Sequence, residues 1–107
     1  MSKIIDISFN DKSYVIEYNR ETVLKLMEKQ SKSDGKDGIE VAYDFIYYGL
    51  LKNHKDDMPS KDAILGFLIL MNDQQGFINA VSECVQEVIQ SIEKDKKQGN
   101  VKWGVRA

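Results

Sequence analysis

Cysteine, proline and histidine are nearly missing from this chain, one of each in 107 residues, and each shortage closes off a class of protein. A lone cysteine excludes an intramolecular disulfide and a four-cysteine zinc site. Cys84 sits among Val81, Val85 and Val88 at helical spacing with no basic neighbour, so it reads as a small buried hydrophobe and not as a nucleophile. The single histidine, His54, has Asp56 and Asp57 close by but no Ser or Cys beside it. It therefore reads as part of a solvated loop, without a metal site or a nucleophile and base pair, and no enzyme chemistry or cofactor is expected. An excess of positive charge is missing too. Fifteen Lys and Arg against seventeen Asp and Glu leave a net charge of −2, too little cation to neutralise phosphates, so nucleic acid is not an expected partner. No apolar run approaches a bilayer's span, and Asp6 interrupts the N-terminal stretch MSKIIDISFN where a signal peptide needs an apolar core. The expectation is a cytoplasmic protein with no membrane partner.

What is present suits one folded domain. At 107 residues, with 42% hydrophobic and 30% charged side chains, the chain can build a single core. Ile5, Ile7 and Phe9 alternate with Asp6 and Ser8, and Tyr14, Ile16 and Tyr18 alternate with Val15 and Glu17 on the far side of an Asn-Asp turn. Period-two patterning on both sides of such a turn predicts a β-hairpin, which needs a further element to cover its apolar face. At Asn19, a good N-cap, the period changes. Val23, Leu26 and Met27 recur at helical spacing, with Glu21 and Lys25 as an outward i,i+4 pair, and the helix should stop near Gln30. SKSDGKDG then reads as a mobile loop; Ile39 and Glu40 follow its last glycine, where a phosphate cradle would need Lys and Ser or Thr.

The second helix, about Ile39 to Asn53, is apolar on a wide arc: Ile39, Ala42, Tyr43, Ile46 and Leu50 on one side, Val41, Phe45, Tyr48 and Leu51 over much of the rest. A helix of that kind is expected to be central and buried, with Gly49 admitting close approach of a neighbour. NHKDDMPS breaks it, Ser60 caps a third helix from about Lys61 to Asn72, and Ile64, Phe67, Leu68 and Met71 form its inner face. A fourth helix, about Gln74 to Lys94, carries Ile78, Val81, Val85, Val88 and Ile92 at alternating spacings of three and four, widened by Phe77, Cys84 and Ile89. A seam that short reads as core in preference to coiled coil. The fold class expected is α+β, mainly α: an N-terminal β-hairpin packed on a bundle of about four helices, residues 1–95, followed by a flexible linker and short apolar tail, 96–107.

Two features ask for a partner. Val101, Trp103 and Val105 alternate like a short strand after the charged linker EKDKKQGN, and an apolar tail on a soluble chain needs a partner or a groove. Tyr43 and Tyr47 share a helix face, with Tyr48 turned away from them; these aromatics read either as packing or as the rim of a protein-binding groove.

From Phe9 to Glu28, FNDKSYVIEYNRETVLKLME, and again at GNVKW, Gly99 to Trp103, the chain resembles the small tail assembly chaperones encoded by phages and prophages of Gram-positive bacteria. The likeness spans the chain in order and length, and it is sharpest where Glu17, Tyr18, Arg20, Met27 and Glu28 at one end go with the tryptophan tail at the other. Related chains often carry Gly-Phe after the first helix, where Gln30 here is followed by SKSDG. The resemblance implies a non-enzymatic protein that binds the phage tape measure protein, keeps that chain soluble in the host cytoplasm until the tail tube protein polymerises around it, and is absent from the mature virion. It also implies a homo-oligomer. Two other readings stand beside it: a structural tail completion or connector protein, and a small helical regulatory protein.

Overall fold

A computed structural model of the chain describes residues 4–9, 11–32, 38–97, 99 and 104–106. Its order is β1 (Ile5–Phe9), β2 (Lys12–Ile16), α1 (Arg20–Ser31), α2 (Gly38–Leu51), α3 (Lys61–Leu70) and α4 (Gln74–Lys97). This is the mainly helical α+β architecture expected, a two-stranded antiparallel hairpin followed by four helices.

The hairpin pairs Ile5 with Ile16, Ile7 with Tyr14 and Phe9 with Lys12, and Asp11 in its turn takes φ 62°, a left-handed conformation that Asp tolerates better than most residues. Tyr14 and Ile16 are buried while Ser13 is exposed, so the alternation sorts the strand between core and solvent. Asn19 starts α1 with a reciprocal capping arrangement: its side chain accepts from the Thr22 amide and its own amide donates to Thr22 Oγ1 at 2.9 Å. Such caps contribute about 1 kcal/mol. The exposed Glu21–Lys25 pair forms at 3.2 Å.

Gly49 explains how hairpin and helices meet. A Cβ there would lie 2.6 Å from Ile16 Cγ2 and 2.8 Å from the Tyr18 hydroxyl, so only a glycine lets β2 press against α2. The approach is close enough for the Glu17 amide to donate to the Gly49 carbonyl at 2.9 Å. Tyr18, buried beside it, donates its hydroxyl to the Phe45 carbonyl. Burial, reinforced by the nearby Cys84, pushes the Tyr18 phenol well above the ordinary tyrosine range.

The core joins Ile16, Val23, Leu26, Ile46, Leu50, Ile64, Phe67, Val81, Cys84 and Val85, drawn from β2 and all four helices. Several expectations need correcting. Ile39, Met27 and Ile78 are about half exposed, because each borders a depression that no other element fills; Thr22 and Asp44 are buried instead, Asp44 accepting from Gln30 Nε2 at 3.2 Å. The fourth helix outruns its expected end at Lys94 and continues to Lys97. Arg20 ties Asp95 and Ser91 to the start of α1, and lysines in the last turn suit the helix dipole. His54 is not solvated: its Nε2 accepts the Val15 amide at 2.8 Å, its ring packs edge-on to Tyr14, and its Nδ1 meets Asp57 at 3.1 Å. That contact holds the Asp57 carboxyl below its ordinary range. The loop reading for SKSDGKDG falls largely outside the described residues, which resume at Gly38.

Candidate functional site

At the end of the molecule away from the Gly49 contact, α3 and α4 meet at a tight corner. Asp73 accepts the Gly76 and Phe77 amides, through its side chain and its carbonyl respectively, and so opens α4, and Gln74 Nε2 reaches back to the Leu68 carbonyl. The corner fixes the angle at which the first turns of α4 pass α2, and the two helices do not close against each other there. A depression of about 250 Å³ remains, lined by Val41, Ala42, Phe45, Leu68, Phe77, Ile78 and Val81. Gly38, Ala42 and Leu68 carry it into a second of about 310 Å³ beside Ile39, Leu65 and Ile69. On the other side Phe45 and Ser82 lead into a third, with Leu26, Met27, Val85 and Ile89.

The first and third depressions form a furrow along α4 from Phe77 to Ile89, about 18 Å at the helical rise, or a little over three turns, and the second adjoins it between α2 and α3. Its lining is overwhelmingly apolar. Around it Ile69 and Leu70 are 70% and 72% exposed, and Ile39, Met27 and Ile78 are also turned outward. An exposed apolar stretch of this extent is a candidate interaction surface, and Ile4, Leu24 and Val105 are exposed elsewhere on the chain. Each depression is small and open, at or below the usual 300–1,000 Å³ of a small-molecule cleft, which suits side-chain anchors.

Of the residues singled out from sequence, the tyrosines form a ladder of their own outside this furrow. Tyr43 and Tyr47 have ring centroids 6.0 Å apart, and Tyr47 meets Tyr48 edge-on at 5.1 Å. Lys61 sits 5.0 Å over the Tyr43 ring, held by Glu40; partial burial raises the Tyr43 phenol and the Lys61 ammonium works against it. Tyr48 borders a polar hollow with Lys25, Glu28, Lys29 and Lys32. Lys32 bonds Glu28 and holds its carboxyl below the ordinary range. Val101 and Trp103 lie outside the described residues, and Val105 is 89% exposed.

The furrow residues read from the sequence as core and not as a binding surface, although one signal was visible. In KDAILGFLIL, six of ten residues are large and apolar, more than one face of a short helix can bury. Among the described residues there is no group of three or more metal-ligating side chains, and no helix is long and apolar enough to cross a membrane.

The whole chain, residues 1–107, matches the family described as a domain of unknown function, DUF5055. The chain belongs to the DUF5055 family. No curated protein and no solved structure matches it.

Proposed function

We propose that this DUF5055 chain is a tail assembly chaperone of a Gram-positive phage or prophage, a non-enzymatic holder of the tape measure protein in the host cytoplasm. The observation that carries the reading is the apolar furrow along α4, lined in part by the exposed Ile78 and adjoined by the depression that the exposed Ile69 lines. An amphipathic helix presents anchors at i, i+3, i+4 and i+7, a span that fits within about 18 Å. Each fully buried anchor contributes about 1.5 to 3 kcal/mol before ordering costs, so a few give a complex that forms and releases without an energy source. The likeness of the two chain ends to such chaperones supports the same reading, and the tail tube protein is the event that would displace the chaperone.

The test is co-expression of this chain with the tape measure protein encoded beside it. A soluble complex that co-elutes on a sizing column is expected; a tape measure protein that is soluble alone and elutes separately sinks the proposal. Mass spectrometry of purified particles separates it from a tail completion or connector role, because a chaperone is absent from the virion and a connector is present in stoichiometric copies.

A further inference from the structure

The hairpin has two unlike edges. On the β2 side two outward amides are taken: Val15 donates to His54 Nε2 at 2.8 Å, and just beyond the strand Glu17 donates to the Gly49 carbonyl at 2.9 Å. An antiparallel ladder alternates bonded and open pairs, and Val15, whose amide points away from β1, belongs to an open one. Its partner Asp6, and Ser8 opposite Ser13, therefore turn their own amides and carbonyls away from β2. Both residues are exposed, and the strand IDISF has no proline or lysine to guard that edge.

We infer that the open edge of β1 receives the C-terminal segment, residues 101–105, of a second copy of this chain as an added strand. The segment Val-Lys-Trp-Gly-Val has the alternation such a strand needs. Seated on β1, it sets Val101, Trp103 and Val105 on the face of Ile5, Ile7 and Phe9, which their own domain buries only in part. Lys102 and Arg106 then share the outer face with Asp6, an opposite charge. A second copy is the source because the described part of the tail, Gly104–Arg106, lies exposed on its own chain. A strand passed from one copy to the next makes a heterologous contact, which builds rings or chains of copies. The inference is independent of what the furrow holds.

The experiment is light scattering over a concentration series on the intact chain, a chain truncated after Asn100, and Ser8→Pro. The proline removes one outward amide at a position where an edge strand tolerates it. The intact chain is expected to associate as concentration rises, and each variant alone to associate at least tenfold more weakly. An equimolar mixture of the truncated chain, which keeps its edge, and Ser8→Pro, which keeps its tail, should form a species of twice the monomer mass. If circular dichroism shows Ser8→Pro unfolded, Asp6→Lys replaces it as the blocked edge. An intact chain that stays monomeric overturns the inference, and with the Trp103 fluorescence shifted to the blue it places the tail on its own domain. Association that survives truncation, or a mixture that stays monomeric, overturns it as well.

Discussion

The two ends of the helical bundle are both built from apolar sequence and finished in opposite ways. Around Gly49 the packing is closed: Ile16 and Leu50 are fully buried, Tyr18 nearly so, and backbone groups that face inward find partners. Around Leu68 and Phe77 it is open, with Ile69 and Leu70 mostly in solvent. Apolar content does not separate these ends. What separates them is whether a glycine permits contact, as Gly49 does, or a fixed corner, as at Asp73 and Gln74, holds two helices apart.

Substitutions that trade one end against the other test this contrast. Leu50→Ala, which hollows the closed end, should cost about 2–5 kcal/mol in urea denaturation. A loss below about 1 kcal/mol would mean that this end is as loose as the other. Next comes Gly49→Ala, whose methyl collides with Ile16 and Tyr18; a loss of about 1–3 kcal/mol is expected, against a gain from helix propensity alone. A net gain in the denaturation midpoint would show that the contact yields freely.

The third test uses pH. Tyr18 keeps its proton in the folded state above the ordinary value of about 10, so the unfolded state loses its proton first. The stability that Tyr18 contributes is whole below pH of about 10 and is lost as pH rises from there toward the raised folded value. Tyr18→Phe should lose about 1 kcal/mol at neutral pH, for the hydrogen bond to Phe45, and decline less steeply in alkali than the parent chain. Parallel alkaline slopes would remove Tyr18 from the closed end's account. The smallest effect on folding belongs to the open end: Ile69→Ser with Leu70→Ser should move stability by no more than about 0.5 kcal/mol per substitution in urea denaturation and, under the proposed role, should weaken co-elution with the tape measure protein. A large loss of stability instead would make these residues core.

Much of the fold was legible because its signals are local. The Asn-Asp turn between alternating strands, the Asn19 cap and the Ser60 cap each act within a few residues, and each forms as its chemistry dictates. His54 was misread for the same reason in reverse. Nothing within five residues of it in sequence foretells the Val15 amide, 39 positions away, that its imidazole accepts. The furrow was half visible: the apolar surplus of α3 showed that something stays uncovered, but the tyrosines of α2, the more conspicuous aromatics, meet one another tilted and edge-on outside it.

Periodicity and capping, which act over one or two turns of chain, were enough to set the element order and most of the buried residues. Which apolar residues remain in solvent was settled only by tertiary packing. Exposure depends on the angle at which two helices cross, and here a glycine at position 49 and a side-chain tie from Gln74 to Leu68 set how β2 meets α2 and how α3 meets α4.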